Sequence, residues 1–153
     1  MSETTVGRPM NIHEILDCLP HRYPFLLVDR IDEVVAFETA RGSKLLTINE
    51  EFFQGHFPDD PQMPVGLLVE AMAQVGCTVI MSTDQARGKN ILFAAVDNCE
   101  FGRPARPGDH LDIRAKMTNF RGDKGKIAVS CQVGDEMLAS AEMMFALTDQ
   151  SAS

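Results

Sequence analysis

Positive charge is scarce in this chain. Lys and Arg number 14 against 22 Asp and Glu, a net charge of −8 over 153 residues. Nucleic acid needs a basic face for its phosphates, so that class of partner is excluded. Cysteine is sparse as well. Cys18, Cys77, Cys99 and Cys131 lie far apart, and no pair has metal-ligand or redox spacing. His13, His21, His56 and His110 show no ligand spacing either, so no metal is expected. Residues 1–10 lack the apolar stretch of a signal peptide. The reading is a cytoplasmic protein with reduced, mostly buried thiols. Long apolar runs are also missing. The longest, Val65 to Met81, is short for a membrane span and carries a carboxylate, Glu70. There is no internal repeat, no serine in a nucleophile elbow and no Gly-rich phosphate loop after a strand.

What is present suits one globular domain over residues 1–153: the apolar fraction is 44% and the charged fraction 24%. The ordered core is expected over about residues 10–148, with residues 1–9 and 149–153 as frayed tails. Asn11 can cap a short helix, Ile12 to Cys18, ending before Leu19-Pro20. Phe25 to Phe37 and Arg41 to Thr47 read as strands. Pro64 suits the first turn of a helix running from about Val65 to Ser82. Within that helix Gly66, Glu70, Gln74 and Thr78 are four apart and share one face, while the rest is apolar and must be wrapped by protein. Strands follow at Ile91–Val96, Leu111–Met117, Lys126–Val133 and Met137–Leu147, with turns at Arg121–Gly125 and Gly134–Glu136. One buried helix among regularly spaced strands argues for an α+β fold, an antiparallel sheet curled around a central helix.

The chemistry concentrates in Gly55-His56-Phe57-Pro58 and the helix that follows. His56 and Glu70 are fourteen residues apart, the first in a Gly/Pro-rich loop and the second in an apolar helix. A neutral imidazole, with an ordinary pKa of about 6.5, accepts a proton near neutrality. A free Glu, at about 4.3, is ionised and no acid, but desolvation in an apolar helix raises it. One base and one protonated acid are what an elimination needs. The unpaired N–H groups at the start of the helix suit a developing oxyanion. Plainer readings stand beside this one. A single loop His is usually a surface residue, and Glu70 could be an ion-pair partner of Arg103 or Arg106.

Those residues resemble a known family. Gly55-His56-Phe57-Pro58, Pro61-x-Met63-Pro64 and Glu70-Ala71-Met72-Ala73-Gln74 look like the β-hydroxyacyl-acyl carrier protein dehydratases of the FabZ type. Leu19-Pro20-His21-Arg22-Tyr23-Pro24-Phe25-Leu26-Leu27-Val28-Asp29-Arg30, then Phe101-x-Arg103-Pro104-x-x-Pro107-Gly108-Asp109, and Met144-Phe145-Ala146 agree in order and spacing. The resemblance covers about residues 12–148. It implies a hot-dog fold and a homodimer, with a trimer of dimers as the larger assembly, and active sites taking His from one subunit and Glu from the other. It implies that His56 removes the α-proton of a 3-hydroxyacyl thioester and that Glu70 protonates or orients the departing β-hydroxyl, leaving a trans-2-enoyl thioester with no cofactor. Val65, Gly66, Phe57 and Gln74 would then contact substrate. His21 falls near the site entrance, with a structural role favoured. Phe52, Phe53 and Phe57 are each read first as core packing.

Three further expectations follow. The family usually reads Met-Pro-Gly-Val-Leu, whereas this chain reads Met63-Pro64-Val65-Gly66-Leu67, so the oxyanion donor falls at Val65, moves to Gly66, or is obstructed by the β-branched side chain. The partner, an acyl carrier protein, is acidic like this chain, so docking needs a local basic patch, for which Arg103, Arg106, Arg121, Lys124 and Lys126 are the candidates. Glu70 in place of the Asp usual in the related dehydratase/isomerases favours dehydration without a double-bond shift. Two rival classes remain: a non-catalytic acyl-carrier accessory subunit and a hot-dog thioesterase.

Overall fold

The computed structural model describes residues 7–150. Among them a seven-stranded antiparallel sheet wraps one long helix. The strands are β1 Arg8–Met10, β2 Arg30–Val35, β3 Thr39–Leu45, β4 Lys89–Phe101, β5 His110–Arg121, β6 Lys124–Val133 and β7 Glu136–Asp149. Their spatial order is β1-β2-β3-β5-β6-β7-β4, so β1 and β4 are the edges. Helix α1 is Ile12–Cys18 and helix α2 is Val65–Met81. The hairpins β5–β6 and β6–β7 turn on Gly122 (φ 63°) and Gly134 (φ 56°), left-handed positions where glycine carries no Cβ penalty.

The core lies between α2 and the inward residues of the sheet. Residues 71–80 of α2 are all buried. Ile113 and Ala115 of β5, Ile127 and Val129 of β6 and Phe145 of β7 are buried in the same cluster. Alternation along β5, β6 and β7 sends every second side chain to this face. Gly42 of β3 admits the helix closely: a Cβ there would come 2.8 Å from the Arg30 carbonyl oxygen and 3.1 Å from Val75 Cγ2. Asn11 caps α1 through a reciprocal box with Glu14, the two bonds being 2.9 and 3.0 Å.

The expected helices are present at almost the expected bounds, and the antiparallel wrapping is as read from the sequence. Three boundaries differ. The tail expected over 1–9 ends earlier: Arg8 and Pro9 belong to β1, which pairs with β2, while residues 1–6 fall outside the described region. β4 extends well beyond Ile91–Val96, carried by two bulges that let its polar second half stay paired with β7. The strand expected from Phe25 begins only at Arg30. The Phe25 carbonyl and the Leu27 N–H bond to the side chain of Gln74 instead of to a neighbouring strand.

Candidate active site

His56 follows a 3-10 turn at Glu51–Phe53, in the loop leading to α2. The loop is tied to itself by its own backbone. Phe57 and Asp60 exchange two bonds of 3.1 Å, and the Gln62 N–H donates to the His56 carbonyl at 2.8 Å. The imidazole Nδ1 lies 3.0 Å from the Gln62 carbonyl oxygen. A carbonyl only accepts, so Nδ1 carries the proton and Nε2 keeps a free lone pair. The ring stacks on Phe57, with centroids 4.3 Å apart. Phe57 itself is half exposed, so the core-packing expectation fails for it, whereas Phe53 is buried and Phe52 packs against the core.

Three ion pairs, made by two arginines, fix the neighbouring loops. Arg106 grips Asp60 through Nε at 3.0 Å and Nη2 at 3.4 Å. Arg103 holds Asp109 at 2.8 and 3.2 Å and Glu136 at 2.8 Å. Among the described residues neither arginine pairs with Glu70, so the pairing with Arg103 or Arg106 drawn from the sequence is not found. Arg103, Arg106, Arg121, Lys124 and Lys126 are spread over the 103–106 loop and the β5–β6 hairpin. Among the described residues Arg121, Lys124 and Lys126 form no salt bridge, so those three cations are not neutralised within the chain.

Glu70 projects from the second turn of α2 into a cavity of about 640 Å³. Leu16, His21, Phe25, Cys77, Met81 and Phe93 are among its walls. Glu70 Oε1 receives Gln74 Nε2 at 3.1 Å and lies 3.3 Å from His21 Nε2. His21 Nδ1 is buried without a hydrogen-bond partner among the described residues. The Glu70 side chain is 29% exposed. The full desolvation expected from the sequence is therefore not supplied by this chain's own atoms. Gln74 is fully buried. Its Oε1 accepts the Leu27 N–H at 2.8 Å, and its Nε2 donates to the Phe25 carbonyl at 2.8 Å. Those contacts and the one to Glu70 use both hydrogens of its amide, so Gln74 ties Glu70 to the Phe25–Leu27 segment while still lining the Glu70 cavity.

Val65 and Gly66 are the first residues of α2, and their N–H groups have no acceptor among the hydrogen bonds of the described residues. Val65 is half exposed, and a Cβ on Gly66 would meet nothing within 4 Å. Both amides are open, and the valine side chain points to space that this chain leaves empty.

The walls of the Glu70 cavity do not include His56, and no hydrogen bond or ion pair joins the two among the described residues. The chain thus holds the His56 imidazole and the Glu70 carboxyl at separate stations. A larger groove, about 760 Å³, lies among Arg41, Arg114, Lys116, Glu33 and Glu142. Its volume does not make it the reactive centre, because it holds none of the predicted site residues and Asp112 already pairs with two of its arginines. Burial raises the thiols of Cys18 and Cys131 to about 12 and that of Cys77 further, so none of these is a nucleophile. No group of three metal-binding side chains occurs among the described residues. Sequence reasoning passed over Asp60 and Gln62. The available signal was their position inside the Pro58–Pro64 turn, where polar side chains have little to do except brace the loop.

Comparison with known proteins gives the family and the fold. A family described as the FabA-like domain matches residues 19–142. A Bacillus cereus protein described as 3-hydroxyacyl-acyl-carrier-protein dehydratase FabZ is 47% identical over 92% of this chain and 98% of its own length. One so described from Bacillus licheniformis is 44% identical over the same shares. Among solved structures, a chain of the dehydratase heterocomplex ApeI:P from Xenorhabdus doucetiae superposes with a TM-score of 0.76 at 14% identity, covering 90% of this chain and 92% of that one. A sigma28-regulated virulence protein from Campylobacter jejuni superposes at 0.67 and 17%, over 86% and 91%. At such identities the structural matches speak for the fold alone.

Proposed function

This chain belongs to the FabA-like family and is a 3-hydroxyacyl-acyl-carrier-protein dehydratase, a hydro-lyase of fatty-acid biosynthesis; from that premise we propose that His56 is its base and Glu70 its acid, each working with the other residue of a partner subunit. The observation that carries the assignment is the 3.0 Å contact of His56 Nδ1 with the Gln62 carbonyl, which leaves Nε2 as the proton acceptor. Nε2 removes the α-proton of the 3-hydroxyacyl thioester. The negative charge that develops on the thioester oxygen is met by the amides of Val65 and Gly66 at the positive end of α2. The α-carbon electron pair closes the new double bond, the bond from the β-carbon to oxygen breaks, and Glu70 gives that oxygen its proton. Water leaves, and a proton passing from His56 back to Glu70 resets the site.

Glu70 is arranged for this step. Gln74 and His21 both address Oε1, so in the acid form the proton belongs on Oε2, the oxygen without a donor. The reaction needs no cofactor. Phe57 and the Glu70 cavity provide apolar cover for the acyl chain. The acyl carrier protein is the substrate's bearer, and Arg121, Lys124 and Lys126 are the cations free to receive it. We read the chain as one hot-dog domain that works in the cytoplasm as a homodimer or a trimer of dimers. Its three buried free thiols suit a reducing compartment.

Incubation with a 3-hydroxyacyl thioester of an acyl carrier protein tests the assignment, with products weighed by mass spectrometry. Wild type should release water and leave an enoyl thioester. His56→Ala and Glu70→Gln should each lose roughly two to four orders of magnitude in rate. Free acid as the product would mean a thioesterase, and undiminished variants would remove these two residues from the chemistry.

A further inference from the structure

The His56 loop is braced from outside by a charge that never touches the imidazole. Gln62 is the link. Its carbonyl accepts from His56 Nδ1, its N–H returns a bond to the His56 carbonyl, and its Nε2 donates to Asp60 Oδ2 at 2.6 Å. Asp60 also pairs through its backbone with Phe57, the residue after the histidine. Asp60 therefore holds both limbs of the turn, Gln62 by its carboxylate and Phe57 by its backbone, and the Arg106 guanidinium forks onto both carboxylate oxygens. Arg106 is in turn fixed, its N–H donating to Asp109 Oδ2 at 2.8 Å. The Met63 N–H donates to the Ala105 carbonyl at 2.8 Å, a second tie between the two loops. We propose that Asp60, held by Arg106, is a positioning residue for the His56 base, acting through Gln62; this rests on the reading of His56 as the base. Arg106 accordingly serves loop geometry, not carrier docking.

Exposure shapes what the pair can do. The side chains of Asp60 and Arg106 are 49% and 41% exposed, so their attraction contributes little to global stability. Its consequence is directional: it sets where the Gln62 carbonyl points, and hence which imidazole nitrogen is bare and where that nitrogen lies. Arg106, and then Gln62, hold the Asp60 carboxyl below its ordinary range. A misplacement of the base by a fraction of a bond length is expensive in rate while leaving binding intact.

Asp60→Ala and Arg106→Gln should each lower kcat roughly tenfold with KM and the melting temperature close to wild type. The loss should be the same for a carrier-linked thioester and for the N-acetylcysteamine thioester of the same acyl group. The double variant should be no worse than either single one, because both act through one contact. Nitrogen NMR of His56 should show one fixed tautomer in wild type and averaging of the two in Asp60→Ala. Unchanged kcat, or a rise in KM confined to the carrier-linked substrate, would overturn the assignment, the latter making Arg106 a carrier contact. His56→Ala is run alongside. If it is inactive while Asp60→Ala matches wild type, only the positioning role fails. If His56→Ala still turns over, both readings fail.

Discussion

Gln74 shows how one buried amide can connect a loop to a reactive carboxyl. Its orientation admits no flip, since the Leu27 N–H requires the oxygen and the Phe25 carbonyl requires the nitrogen. The second hydrogen of that nitrogen then has Glu70 Oε1 as its acceptor. Replacing Gln74 with Met keeps the volume and removes all three bonds. The buried Leu27 N–H is left without an acceptor, which costs about 1–3 kcal/mol, and Glu70 loses the donor that selects which oxygen carries its proton. The expected outcome is a lower denaturant midpoint together with a kcat deficit at unchanged KM. A variant of wild-type stability whose only defect is a raised KM would instead return Gln74 to substrate contact. At the same scale His21 gains a definite place. Its imidazole lies beside the Glu70 carboxyl, a contact between residues 49 positions apart that no local pattern announces.

At the scale of elements, legibility followed the range of the forces. Helix α2 was legible because Pro64 starts it and the apolar run from Val65 to Met81 sustains it. β5 to β7 were legible because alternation is a local signal and the turns carry glycine. Leu26-Leu27-Val28 misled because a short apolar run is the same whether its backbone bonds to a strand or to a distant side chain. His56 and Glu70 stood out by residue type and context. The brace on His56 did not, since Asp60 and Arg106 are 46 positions apart. The start of α2 carries the chain's own departure from the family pattern, Val65-Gly66. With Gly66 open to a Cβ and Val65 half exposed, the exchange Val65→Gly with Gly66→Val fits the backbone without a clash. It lets the first amide approach the thioester oxygen unobstructed. The exchanged protein should turn over faster, by a few-fold to roughly tenfold, in steady-state assays with one carrier-linked substrate. Identical kinetics would mean that the valine side chain stands clear of the substrate.

The whole molecule presents an unfinished edge. β4 is thirteen residues long and, among the described residues, pairs only with β7 and leaves its other side open. Leu92, Val96 and Phe101 are exposed along it, at 57%, 41% and 46%. A long edge strand with exposed apolar side chains invites another strand, and a second copy of this chain supplies one of matching length. Pairing two β4 strands about a two-fold axis would extend the sheet across both subunits and cover that surface. It would also give the separate stations of His56 and Glu70 a reason, since a base on one chain could face an acid on the other. Complementation decides this without disturbing the edge. His56→Ala supplies an intact Glu70 and Glu70→Gln an intact His56. If sites are shared, each mixed dimer contains one complete site and one lacking both groups. Equal mixing after unfolding and refolding together makes half of the dimers mixed, so about a quarter of the wild-type sites return. Activity should rise from near zero in either variant alone to about that fraction, and sedimentation should show the same oligomer throughout. If the mixture stays as inactive as its parents while the dimers demonstrably exchange, both residues serve the same chain, and the open β4 edge must be explained by something other than catalysis.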